Sequence, residues 1–548
     1  MKIDLDLLLF VMNKFNEIPT NTPNRINFIQ NEICKYETGH AQPLNRLNVS
    51  VDIDLITAED NFTPTVENIG HLSGKLLKQK INFSDLQNGT KILMPEERYC
   101  CSSKYRIDPR PAKILLYGLN GVSECLYYHG ICKGCCTNYY HNFCEDKNKT
   151  RHFKFDVSKQ YFVIASSIGF SIDYLDDLSL DVTIGGVSFE KICEKYNTKY
   201  KLNFSKAKLS KHILEETWLI YRLARTLKSI QWSRSNDSHY NAEEICLNMY
   251  PSFKLQIDRR WLQHQCDEVG CKQKMIVCDG NEKLYRYCCM REFENELDEN
   301  GIKVKTRCID NPTRGNKFKE NSKYCENHVN EGPNGKKNIL EQIDLHPRTR
   351  LATKLFKVTF VSNEGCKEIQ NLSKYAQRTA GMFYVLRSCG IRLSHFEMFT
   401  AESLSMVFTS LIDIFNESPS NHLAGVVYDR SCDLYPYILK LAQNGNKIAQ
   451  SYLDLIYIVD IFHCEKHTQP KCVLDSGKCQ YHPDLEKFST VRNMNMEICE
   501  QTNHLLNTYK HITRNMTYAK RLCLLKIIDN DFNERLEIKQ QEKCKGKS

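Results

Sequence analysis

The strongest constraint on how this chain can fold is its cysteine content and the way the cysteines are grouped. The 548 residues include 26 cysteines, many of them paired or close to a histidine. The N-terminal apolar run "LLLFVM" follows "MKIDLD". Its flank is acidic rather than basic and no small-residue cleavage pattern follows, so the sequence predicts neither a signal peptide nor a membrane span. Cysteines kept from an oxidising compartment stay reduced, and closely spaced reduced Cys/His groups point to zinc rather than to disulfides.

Three such groups stand out. In "RYCCSSKYRIDPR" and "YYHGICKGCCTNYYHNFC", Cys132 and Cys135 form a C-x2-C knuckle able to present two thiolates to one tetrahedral ion. The favoured set is Cys100, Cys101, Cys132 and Cys135, with Cys125, Cys136, His141 and Cys144 as alternative donors. A second group, "YCCMREFENELDENGIKVKTRCIDNPTRGNKFKENSKYCENH", offers Cys289 (or Cys288), Cys308, Cys325 and His328. The third, "DIFHCEKHTQPKCVLDSGKCQYHPD", offers Cys464, His467, Cys472, Cys479 and His482 with two C-x2-H knuckles. Cys266 and Cys271, spaced C-x4-C, either cross-ligate one of these ions or stay free; the sequence does not choose.

A chain this long divides into several domains. Residues 1–95, rich in Asn, Thr and Pro, read as an N-terminal arm or small domain, and 96–150 as a cysteine-cluster zinc domain. Residues 151–250 read as mainly helical and basic, 251–535 as a catalytic domain with a zinc insertion near 285–330, and 536–548 as a basic tail. Net charge is +9, but it is uneven: residues 191–234 hold 11 Lys and Arg against 3 Asp and Glu. Lys206, Lys208, Lys211, Arg222, Arg225 and Lys228 in this island are candidates for DNA phosphate contacts, and "SFEKICEKY" with the following helix is a candidate helix-turn-helix.

From about residue 251 the pattern alternates. "KMIVCDG" reads as a strand, "GMFYVLRSCGIRLSHFEMF" as two strands around a Ser388-Cys389-Gly390 turn, and "ESLSMVFTSLIDIF" as an amphipathic helix. "HLAGVVYD" and "YLDLIYIVDIF" read as further strands, with helices from about Leu434 and Met496. The order β, ββ, α, β, α, β, α predicts a multidomain α/β protein with a ribonuclease H-like domain. That topology would bring together Asp279 and Asp429, each ending a strand, and Glu500 on the last helix. Three such carboxylates suit two Mg2+ or Mn2+ ions. Asn281, Gln501 and Asn503 are placed to orient ligands or substrate, and Asp460 and His463 to support the centre.

In "VCDGNEKLYRYC", "VVYDRSCDLYPYI", "DIFHCEKHTQPKC" and "NMEICEQTNHLL", with "HGICKGCCTNYYHNF" and "RCIDNPTRGNKFKENSKYCENH", the chain resembles the KDZ (Kyakuja, Dileera and Zisupton) transposases with an associated cysteine cluster, in their animal branch. The motifs span about 100–535 in the family's order. The resemblance implies a DDE transposase with Asp279, Asp429 and Glu500 as metal ligands, structural Zn2+, a nuclear location, transposon ends and target DNA as partners, and pairing of copies. "DGNE" stands where many members have Asp-Ala-Asn and an aromatic, and "CEQTN" where many have Glu-Arg and a tryptophan. The alternative is a domesticated zinc-containing DNA-binding protein that has lost the chemistry; a metal-dependent nuclease acting on RNA or structured DNA shares the same centre.

Overall fold

The computed structural model describes most of 91–233, 242–289, 378–415, 422–464 and 473–545, plus the strand pair Glu292–Asn295 and Val304–Arg307. It is a mixed α/β protein of several sheets and helices that divides into two compact units: one built on residues up to 179 and 193–240, the other on 180–192 and 241–548.

The first unit holds a five-stranded sheet and a seven-stranded sheet. Strands on both sides of position 150 share them: Ser229–Ser233 pairs antiparallel with Thr150–Lys154, and Ile168–Ser171 pairs parallel with Ala112–Gly118. Helix Lys211–Leu227 starts on Ser210, whose hydroxyl accepts from the Ile213 amide, and buries Leu214, Trp218, Ile220 and Leu223. It is separated from helix Phe189–Lys199 by residues 200–210. That link is much longer than a helix-turn-helix turn, so this reading of the pair does not hold.

The second unit is organised by one sheet. Its strands are β1 (Met275–Asn281), β2 (Gly381–Arg387), β3 (Arg392–Met398), β4 (Gly425–Val427) and β5 (Ile456–Ile458). The spatial order is β3-β2-β1-β4-β5. Strands β1, β2 and β3 form an antiparallel meander, while β4 runs parallel to β1 and β5 parallel to β4. The start of β1 and all of β2 are buried, which is why they read as continuous apolar runs rather than as alternation.

Strand β3, "RLSHFEM", is buried throughout although it carries Arg392, His395 and Glu397. The C-terminal helix α7 (Tyr518–Lys545) and helix α1 (Ala242–Leu262) pack on it, and α7 with Arg286 after β1 supplies the partners. Asp529 receives Arg392 at 3.1 Å and His395 at 2.7 Å. Glu397 is held by Arg286 at 2.9 Å and also by Arg521. Removing Glu397 would leave two guanidinium groups buried without it. Glu397→Ala is therefore expected to destabilise the protein by about 3–5 kcal/mol, read as a lower urea midpoint; a midpoint within error of wild type would show that the network is not stabilising.

Helix α3 (Leu404–Phe415) is buried all round except at Asp413, which pairs with Lys254 at 2.9 Å. It is thus a core helix rather than an amphipathic surface one. After α4 (Ser431–Gln443), helix α5 (Ile498–Leu506) packs against β1 and β2, and the short α6 (Lys510–Thr513) follows it.

Candidate active site and thiol cluster

The register of the parallel strands sets the carboxylates. Val277 of β1 lies opposite Val427 of β4, which lies opposite Ile458 of β5. Two residues beyond each comes an aspartate: Asp279, Asp429 and Asp460. Asp279 is still on β1, whereas Asp429 and Asp460 lie just past the ends of β4 and β5; with paired strands about 4.8 Å apart, equal offsets bring all three residues to the same end of the sheet. Asp279 and Asp429 are half-buried and Asp460 is buried.

Helix α5 closes over this end. Glu500 and Asn503 are three residues apart and so share a helix face. Asn503 donates from Nδ2 to Asp279 Oδ2 at 3.0 Å, and its backbone carbonyl accepts from Asn281 Nδ2 at 3.4 Å. The Asn503 side chain is buried, yet its Oδ1 has no hydrogen-bond partner. Gln501 instead faces outward and accepts from Asn495. His463 Nδ1 lies 4.0 Å from Asp460 Oδ2.

A further carboxylate joins the group. Glu402, just before α3, reaches so far toward β1 that a Cβ on Gly280 would lie 2.1 Å from its Oε2. Any side chain at this position would have to displace the Glu402 carboxylate. Burial, and then the neighbouring Glu402, Asp429 and Glu500, push the Asp279 carboxyl well above the usual carboxylate range. Burial and Asp429 push Glu402 up to about 8, opposed by the nearby Tyr428 hydroxyl and by Arg430. Carboxyl groups that raise one another in this way hold protons unless a cation replaces them, although among the described residues no three of these carboxylates bring oxygens within 4.8 Å of one another. Carboxylates with an amide carbonyl are hard oxygen donors, the set that suits Mg2+ or Mn2+.

Beside this centre, Glu282, Lys283, Arg378, Lys510, His511 and Arg514 line a cavity of about 330 Å³. Glu282 links the two places, since its charge also raises Glu402.

The zinc sets read from sequence are described only in part. Cys132 is fully buried and packs with Cys135 and Cys144, but of Cys100 only the backbone is described, and Cys101 lies outside the described residues. Cys289 is buried, while Cys308, Cys325 and His328 lie outside the described residues. Cys464 and Cys479 share a core cluster with Cys432, a residue the spacing did not suggest. His482 Nδ1 accepts from the Asp484 amide at 3.1 Å, and His467 and Cys472 lie outside the described residues.

A different set does converge. The ligand atoms of His264, Cys266, Cys271 and Cys389 all lie within 4.8 Å of one another, the only group of three or more potential metal ligands among the described residues to do so. This cluster could bind a zinc-like metal ion. Cys266 and Cys271 were visible in the sequence as a C-x4-C pair without partners; His264 and Cys389 were missed.

Of the six basic candidates, Lys206, Lys208 and Lys211 are exposed. Arg222 lies 5.6 Å over the Trp218 ring, Arg225 pairs with Asp176, and Lys228 lies 5.7 Å over Phe155. Arg225 and Lys228 are nevertheless exposed and Arg222 is half-buried.

Comparison of the chain with protein-family models, with curated proteins and with solved structures found no match.

Proposed function

We propose that the second unit is a ribonuclease H-like catalytic domain and that the protein is a metal-dependent DNA transposase of the KDZ type. The reading rests on one observation above all: Asp279 on β1 and Asp429 just past the end of the parallel neighbour β4 follow the paired residues Val277 and Val427 at the same offset, and Asp279 is bonded by Asn503 of the helix that also carries Glu500. The meander followed by two parallel strands, in the order β3-β2-β1-β4-β5, supports this reading. Asp279, Asp429 and Glu500 would hold two Mg2+ or Mn2+ ions, with Glu402 and the Asn503 carbonyl as further oxygen donors. When bound, the ions supply activation of the attacking oxygen and stabilisation of the leaving oxygen at a phosphodiester. Asn503 fixes the Asp279 carboxylate, and the lysines and arginines of the neighbouring cavity favour an anionic substrate such as a nucleic-acid backbone. Double-stranded DNA as partner, a nuclear location and assembly of copies around two DNA ends belong to the same proposal.

The test is incubation of the full chain with supercoiled plasmid and with duplex RNA, in Mn2+ and in EDTA. Mn2+-dependent nicking of the plasmid is expected. Cleavage confined to RNA would replace the transposase reading with a ribonuclease, and no cleavage of either would favour a DNA-binding protein that has kept the fold alone.

A further inference from the structure

We propose that His264, Cys266, Cys271 and Cys389 bind one structural Zn2+ that fastens the tip of the β2–β3 hairpin to the segment leading into β1. The proposal does not depend on the catalytic reading. The ligands arrive from three places. His264 follows the end of α1, its amide bonded to the Trp261 carbonyl at 3.1 Å. Cys271 lies on the short helix α2 (Val269–Lys272), with Cys266 just ahead of it, and Cys389 sits in the hairpin turn between β2 and β3. Three thiols and one imidazole are the donor set of a closed tetrahedral zinc site. Zn–S bonds of about 2.3 Å put sulfurs roughly 3.8 Å apart in that geometry, which is within the spread of the four atoms here.

The surroundings are built for such a site. The Nε2 of His264 is buried without a hydrogen-bond partner, while its Nδ1 lies 3.8 Å from Glu537 Oε1 on α7. That distance is too long for a direct hydrogen bond, but it sets a carboxylate on the Nδ1 side of the ring and leaves Nε2 for the metal. Glu268 accepts from the Cys271 amide at 2.7 Å and from the Ser388 hydroxyl, so one side chain ties α2 to the turn. Gly270 allows that approach, since a Cβ there would lie 2.9 Å from Ser388 Cβ. Arg387 is buried beside the three sulfurs, where its charge offsets the net negative charge of a zinc bound by three thiolates. It donates to the carbonyls of His422 at 3.1 Å and Leu262 at 3.2 Å. Gly390, with φ +97°, supplies the left-handed turn that brings Cys389 round.

All four positions being protein ligands, the ion would be structural rather than catalytic. It would lie at the start of β1, the end opposite Asp279. Its effect on the carboxylates would be to fix where their strand begins.

The test uses the full chain. Wild type and Cys389→Ser are compared for zinc per chain by elemental analysis, with Cys193→Ser, a buried thiol elsewhere, as control. The expected result is loss of one zinc equivalent in Cys389→Ser and none in the control. Should Cys389→Ser fail to fold, alkylation of the native wild-type chain decides: Cys266, Cys271 and Cys389 should resist labelling until a chelator is added, then react together. An unchanged zinc count in folded Cys389→Ser would overturn the proposal. So would labelling of the three thiols without chelator, or a disulfide among them in peptide maps.

Discussion

Asp429→Asn should abolish Mn2+-dependent plasmid cleavage while leaving the fold intact or slightly more stable. The exchange keeps the shape of the side chain and removes one charge from a group in which Asp279 and Glu402 already repel it. The metal-free protein loses repulsion, so its melting temperature should stay level or rise, as often happens when a functional site is neutralised. Activity moves the other way, because a proposed ligand between the strands is gone. The loss should exceed the ~10–100-fold that removal of an outer-shell partner causes. Asn503→Ala, which deletes such a partner of Asp279, should fall within that smaller range. Plasmid nicking rates with melting curves on the same preparations give both readouts. Wild-type cleavage by Asp429→Asn would sink the carboxylate centre as the site of reaction, whereas a collapse in melting temperature would make Asp429 a structural residue.

The chain announces some parts of this arrangement and conceals others for physical reasons. Strands β1 and β2 were legible because central strands buried on both faces are apolar without interruption. Asp279 and Asp429 were legible because an acid at the end of such a run needs an explanation. The equal offset of Asp460 was not, since it depends on a pairing register that no local pattern encodes. Glu402 looks in sequence like any acid near a helix start, and only its closeness to Gly280 marks it out. Strand β3 could be found, but not the reason that Arg392, His395 and Glu397 tolerate burial there, because their partners come from α7 and the segment after β1. The metal cluster was hardest: Cys389 alone is a turn residue and His264 alone a helix-end residue, and they become ligands only when the hairpin folds back on Cys266 and Cys271. Closely spaced knuckles, by contrast, attract attention whether or not a site forms.

Stabilisation by Mn2+ should grow as pH rises from 6 to 8, and Glu402 should be its main source. In the folded protein this carboxyl is pushed up to about 8, against 4.5 for the ordinary group. Between those values the native state holds a proton that the unfolded chain has released. Glu402 therefore contributes stability that is fully present below about 4.5 and is lost as pH rises through about 8. A divalent cation reverses the sign, because it needs the ionised form and must displace the proton. The groups acting on Glu402 are Asp429 and Glu282, which raise it, and Tyr428 and Arg430, which lower it; Asp279 shares the titration through its own coupling to Glu402. The one proton displaced from Glu402 alone should weaken apparent affinity about tenfold per pH unit below 8, and release from Asp279 adds to that slope. Thermal denaturation with and without Mn2+ at pH 6, 7 and 8 measures this directly: the shift in melting temperature should be small at pH 6 and largest at pH 8. In Glu402→Gln the pH dependence should flatten, with Asp279 left as its remaining source. A wild-type Mn2+ effect that ignores pH, or a slope that survives Glu402→Gln unchanged, would place the cation elsewhere on the protein.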